Sequence, residues 1–293
     1  MKRLIRLCAI SVGLWLLWGQ PVLAQEIVGP GSAHPNRLSS VFTDLSQANV
    51  VYLGETHDNE ADHLAQLQII QELHHRNPHL AIGMEMFQRP FQSAIDAYLR
   101  GEITEDELRQ QSEYDRRWGF PWENYAPILR FAKANQIPIL ALNTPTEVTR
   151  RAARKGLALL SVSDRQWIPP ISEIQLGSDA YRQFLRPLYD SFHDDVGSSD
   201  TFDSFFLAQV LWDETMADRV VTFLRANPED RVIVLAGQGH VMYGYGIPSR
   251  VAHRMQNVPH FKQRLVLLNP SDDVQNSREE GAIADYFWIS PAN

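Results

Sequence analysis

The segment Ala48–Glu55 reads ANVVYLGE, and Leu80–Met86, Ile137–Asn143, Val232–Gly237 and Leu265–Asn269 share its character. Each is short and apolar almost throughout. Runs of this length do not make whole buried helices, and they lack the polar alternation of a strand with one wet face. They read as strands buried on both faces, the pattern of a parallel sheet covered by helices. Tyr286–Ile289 adds an edge strand. Between the runs the spacing turns helical: Asn59–Arg76 carries Leu64, Leu67, Ile70 and Leu73 and is stopped by Asn77-Pro78, and Pro90–Arg100, Thr104–Gln111 and Asn124–Asn135 follow. The expected fold is α/β, with a mostly parallel central sheet flanked by helices.

The stretch between the third and fourth strands is too long for one crossover helix. It holds helical patterns at Glu147–Lys155, Tyr181–Tyr189 and Asp203–Arg225, a Pro169-Pro170 break and a polar loop at His193–Asp200. A smaller, mainly helical subdomain is therefore expected over about 146–228, with its heart at Asp164–Ser199, placed to cover a site on the sheet. A chain of 293 residues suits one large domain elaborated in this way.

The start of the chain reads as a leader. Lys2, Arg3 and Arg6 precede the apolar stretch Leu7–Trp18, and Pro21-Val22-Leu23-Ala24 ends in the small residue a signal peptidase requires. The stretch is about 12 residues, short of the roughly 20 that span a bilayer. Residues 1–24 are thus expected to be a signal peptide, residues 25–293 the α/β domain, and the protein to be exported to the periplasm or cell-surface side. The only cysteine, Cys8, lies in the leader and not at the cleavage point. That excludes a disulfide framework, a thiolate-rich metal site and a lipid anchor. The formal net charge is −8, and cleavage would deepen it by removing three cations. An acidic balance of this kind disfavours nucleic acid as a partner.

Ligands of open parallel sheets bind outside the carboxyl ends of the strands, where loops and helix N-termini converge. Three of the expected strands end there in reactive residues: Gly54-Glu55-Thr56-His57, Gly83-Met84-Glu85-Met86-Phe87 and Gly237-Gln238-Gly239-His240. Glu55, His57, Glu85 and His240 would meet at one rim, as a divalent-metal donor set or as a metal-free acid/base set. Glu85 interrupts an apolar strand, and a buried carboxylate needs a partner or a function. Glu55 has a structural alternative as a cap on the following helix. Asp58, Glu60 and His63 carry the first motif onto that helix, where a solvated helix start is the alternative. His74, His75 and His79 flank its end and suit the helix dipole. Asp213 and Glu214, beside Trp212 on the long helix, could turn acids toward the cleft, with a solvated helix face as the simpler alternative. Beyond His240, Tyr243 and Tyr245 alternate with Gly244 and Gly246 ahead of Pro248. Phenolate oxygen is an axial ligand that haem iron accepts, and a turn with packed aromatics is the alternative.

The blocks VVYLGETHDN, IGMEMFQRPFQ, IPILALNTP, FFLAQVLWDETMA and VIVLAGQGHVMYGYGIPSRV, in this order over roughly Ser46–Leu268, resemble the ChaN-like haem-binding proteins of bacterial iron uptake. These belong to the wider Tiki/TraB/erythromycin-esterase-like group. The resemblance implies haem as cofactor, held by a tyrosine in a homodimeric site with a histidine of the second protomer near the propionates. It also implies outer-membrane or periplasmic haem-transport components as partners. Tyr243 and Tyr245 lie in the block that would carry the ligand, with Tyr245 favoured by its place before the helix start. His240, Arg250 and Arg254 are the cations within reach of propionates. Glu55, His57, Glu85 and His240 match polar positions shared across the wider group, some of whose members are hydrolases. Hydrolysis with this set, with or without a metal, is the alternative function.

Overall fold

The computed structural model describes residues 26–29, 36–193, 201–276 and 283–291. The expected leader and most of the polar loop at 193–200 lie outside the described residues. At the centre is a seven-stranded sheet of β1 (Glu26–Val28), β2 (Val50–Glu55), β3 (Leu80–Gln88), β4 (Ile139–Asn143), β5 (Arg231–Gly237), β6 (Gln263–Leu268) and β7 (Tyr286–Ile289), ordered β1-β7-β6-β2-β5-β3-β4. Every pairing is parallel except that of β1 with β7. The expected α/β fold is the one observed. What the apolar runs did not announce is β1, a three-residue strand with only Ile27 buried, which pairs outside β7 so that Tyr286–Ile289 is not the edge strand expected.

The two faces of the sheet explain the unbroken hydrophobicity of its strands. Val51, Leu53, Ile82, Met84, Ile233 and Leu235 point into a core beneath α1 (Leu38–Leu45), α2 (Glu60–Arg76), α3 (Gln92–Leu99), α4 (Glu105–Gln111), α5 (Tyr114–Arg117) and α6 (Trp122–Ala134). Their neighbours Val50, Tyr52, Val232, Val234 and Ala236 point the other way, onto Met216, Val220 and Val251. With period-two strands and helices on both sides, no position is left for a polar residue. Each buried aliphatic side chain stabilises the fold by about 1.5–3 kcal/mol, so a charge in such a strand must be compensated locally.

Between β4 and β5 the described chain is helical: α7 (Thr146–Lys155), α8 (Val162–Arg165), α9 (Asp179–His193) and the 25-residue α10 (Phe202–Ala226). Two small clusters hold this region together, one around Val148, Ile168 and Leu211 and one around Tyr181, Leu185 and Phe206. Both are anchored on α10, which also packs on the sheet through Met216 and Val220. After β5 come α11 (Ile247–Met255) and α12 (Asp272–Gln275). Among the described residues no helix is long and apolar enough to cross a membrane.

Candidate functional site

Parallel pairing puts the carboxyl ends of three neighbouring strands side by side. Glu55 of β2 lies opposite Gly237 of β5, and Met84 of β3 opposite Leu235. The two Gly-x-x-His elements and Glu85 therefore do meet. A cavity of about 550 Å³ opens between them, lined by Glu55, His57, Glu85 and His240, with Trp118, Leu188 and Trp212 among its walls.

Glu55 is fully buried but well satisfied. His57 Nδ1 lies 2.8 Å from its Oε1, Tyr125 donates to the same oxygen at 2.5 Å, and Gln66 donates to Oε2 at 2.5 Å. A carboxylate only accepts, so His57 carries its proton on Nδ1 and turns Nε2 toward Gly237. The ring is held between Trp118 and Phe120, at centroid distances of 4.7 and 4.9 Å. Burial opposes the charge on His57, but the hydrogen bond to Glu55 and the charges of Glu85 and Glu55 outweigh it and raise its pKa. Gly237 has no side chain for a reason: a Cβ there would stand 2.9 Å from His57 Cε1.

Glu85 answers to His240. Its Oε2 accepts from Gly237 N at 2.8 Å and its Oε1 lies 3.4 Å from His240 Nε2. The other imidazole nitrogen, Nδ1, is 2.7 Å from Asp213 Oδ1, and Tyr181 donates to Asp213 Oδ2 at 2.6 Å. An imidazole between two carboxylates needs a proton on each nitrogen. Burial disfavours that cation, yet Glu85 and Asp213 prevail and push the His240 pKa up to about 10. The same pairing works against burial on Glu85 and brings its pKa down to about 2. Asp62, within α2, accepts from Thr56 N and from Asn269, both at 2.7 Å, and burial raises its pKa to about 6.

The remaining candidates divide. Glu55 does not cap α2, because Asn59 does so by accepting from Ala61 N. His63 is buried and donates through Nε2 to the His57 carbonyl at 3.0 Å, while Asp58 and Glu60 face solvent. His75 and His79 are exposed, and His74 packs its edge on Phe131. Asp213 and Glu214 are not a solvated face but fully buried. Arg250 is buried with them, 3.2 Å from Glu214 through Nε and donating to the carbonyls of Tyr245 and Gly246 at 2.8 and 2.9 Å. Arg254 reaches Glu214 at 2.5 Å. Both arginines thus hold the site's frame and present no free cation to it. Among the described residues no group of three or more His, Cys, Asp or Glu is placed to hold a metal ion. The four strand-end residues are taken up as pairs, Glu55 with His57 and Glu85 with His240.

Tyr243 and Tyr245 line a different cleft, of about 520 Å³, together with Phe184, Pro187, Met242, Val274 and Ile283. Their rings stack with centroids 5.3 Å apart and planes at 21°. Tyr243 has φ of 56° and Gly244 of 70°, so a bulky residue sits in the left-handed region. The turn is held there by Tyr243 N donating to Ile283 O at 2.8 Å. Helix α9 divides the two clefts, with Phe184 on the tyrosine side and Leu188 on the cavity side.

Residues 41–251 match a family model described as haem-binding uptake, Tiki superfamily, ChaN. The chain is 27% identical over 284 residues to RETICULATA-RELATED 5, a chloroplastic protein of Arabidopsis thaliana, covering 91% of this chain but only 37% of that protein's length. Its fold is similar to that of ChaN of Campylobacter jejuni, whose structure shows cofacial haem binding: TM-score 0.71, 18% identity, 92% of this chain and 97% of that one covered.

Proposed function

Because the chain belongs to the haem-binding uptake family of the Tiki superfamily, we propose that it binds haem on the Tyr243–Tyr245 face, between two copies of itself. One observation carries the placement: two stacked tyrosines, fixed by a strained turn, stand on the wall of a mixed cleft with an apolar side formed by Phe184, Pro187, Met242, Val274 and Ile283. Strain of this kind costs about 1–3 kcal/mol and persists where surrounding contacts over-determine it. Haem iron accepts a phenolate oxygen as axial ligand. The chain's own part is to offer that oxygen from Tyr243 or Tyr245, to lay Phe184, Met242 and Ile283 against the flat ring, and to keep the turn rigid through Ile283. Both tyrosines are half-buried, which leaves part of each ring open to a ligand. The cofacial arrangement named for the Campylobacter protein supports this geometry. Export through residues 1–24 completes the reading.

Haemin titrated into purified protein should give a Soret band that saturates stoichiometrically, with a shift toward dimer in size exclusion. Tyr243→Phe with Tyr245→Phe should remove the band. An unchanged spectrum and affinity in that double variant would refute the tyrosine site.

The rim cavity supports a second reading, hydrolysis without a metal. His57, oriented by Glu55, offers Nε2 as general base, and His240, doubly protonated between Glu85 and Asp213, serves as acid or anion stabiliser. An ester and peptide screen supports it only if Glu85→Gln and His240→Ala lose turnover while folded.

A further inference from the structure

A third cleft, of about 290 Å³, lies beside the rim cavity, and Thr146 and Trp212 line both. Its walls are one face each of two helices: Thr146, Thr149, Arg150, Ala153 and Arg154 on α7, and Ser204, Phe205, Ala208 and Trp212 on α10. Most of the described arginines are ion-paired, in a chain of net charge −8. Arg150 and Arg154, one turn apart, are exposed and make no hydrogen bond or ion pair among the described residues. Arg154 sits in the last turn of α7, where the dipole favours a cation, but Arg150 lies mid-helix. Next to Arg150, Thr149 lines the cleft and is 2% exposed, with its Oγ1 buried and without a partner among the described residues. A buried hydroxyl left unpaired costs about 1–3 kcal/mol, so a side-chain rotation that turned this one toward a ligand oxygen would be favoured.

We propose that this cleft is a subsite for the carboxylate of an amphipathic small molecule, whose apolar body runs past Phe205 and Trp212 into the rim cavity. Two planar guanidinium forks match the two oxygens of a carboxylate. Phe205, Ala208, Ala153 and the Trp212 ring supply the apolar wall behind it. The head group belongs to a free organic acid, because helix α9 separates the rim cavity and its neighbouring cleft from the tyrosine face proposed for haem.

The probe is 11-(dansylamino)undecanoic acid, titrated by fluorescence beside its methyl ester. The acid should bind about tenfold tighter than the ester. Arg150→Gln with Arg154→Gln should abolish that preference, and Arg150→Lys with Arg154→Lys should restore part of it. In the Gln double variant acid binding should weaken while haemin affinity stays intact, and a matching loss of haemin affinity would overturn the assignment to a free acid. Equal binding of acid and ester by the wild type, or a preference that survives in the Gln variant, overturns the proposal. The tyrosine reading is judged apart, because Tyr243→Phe with Tyr245→Phe should leave the acid preference intact. Loss of the preference in that variant would put the acid in the tyrosine cleft and overturn the placement.

Discussion

Asp213 shows how much one buried carboxylate decides. It joins Tyr181, His240 and Arg250 at a point with no solvent access, so its charge has only protein partners. Asp213→Asn should cost about 3–5 kcal/mol in urea unfolding, because the His240 cation loses half its compensation. It should also let His240 titrate closer to its ordinary 6.5 rather than near 10, as followed by the imidazole NMR shifts. A wild-type His240 that already titrates near 6.5 would contradict the doubly protonated ring. The sequence offered a signal for this residue. Asp213 and Glu214 stand three and four residues after Val210 and four and three before Ala217, within the apolar stripe of α10 that continues through Val220, Val221 and Leu224. Acids on such a stripe are buried. A pair of adjacent acids read by type alone suggests a wet face, and the stripe corrects it.

At the scale of elements, the site depends on how closely the turn after β5 approaches its neighbours. A Cβ on Gly246 would stand 2.2 Å from the His240 carbonyl oxygen, whereas one on Gly237 would meet the His57 ring at 2.9 Å. The first clash is with backbone, and the second is with an imidazole that can move only by giving up its hydrogen bond to Glu55 and its aromatic clamp. Gly246→Ala should therefore lower the thermal midpoint more than Gly237→Ala, which should cost about 1–3 kcal/mol. Gly237→Ala should instead displace His57 and relieve the ring-current shielding that Trp118 and Phe120 impose on its NMR signals. Equal losses in the two variants would argue against this difference. The buried strands and their polar ends were legible in the chain because a residue buried on both faces admits only apolar types, so Glu85 stood out. The supports of Glu55 were not. Gln66 and Tyr125 come from α2 and α6, and no local pattern says which helix residue will face a strand end. The separation of Tyr243 and Tyr245 from the rim was equally hidden, since it depends on where α9 lies.

For the whole molecule, the Glu85–His240 pairing gives a pH signature. His240 has its folded pKa raised from 6.5 to about 10, so its contribution is complete below 6.5 and is lost as pH rises toward 10. Glu85 has its folded pKa lowered from 4.5 to about 2, so its contribution is complete above 4.5 and is lost as pH falls toward 2. Asp62 acts in the opposite sense, costing stability as pH climbs from 3.8 through about 6. The difference in urea midpoint between wild type and His240→Gln removes such other groups from view. That difference should shrink steadily from pH 6.5 to 10, and a constant difference would rule out the raised imidazole. The register of the sheet's edge has a further consequence. Glu26 pairs with Ile289, so the opening strand of the domain closes on its last. During synthesis β1 has no partner until β7 has been made, and the open flank of β6 stays bare until then. A chain stalled or clipped before Tyr286 should expose that flank to strangers, and resistance to proteases should arrive late and all at once, when the two ends meet.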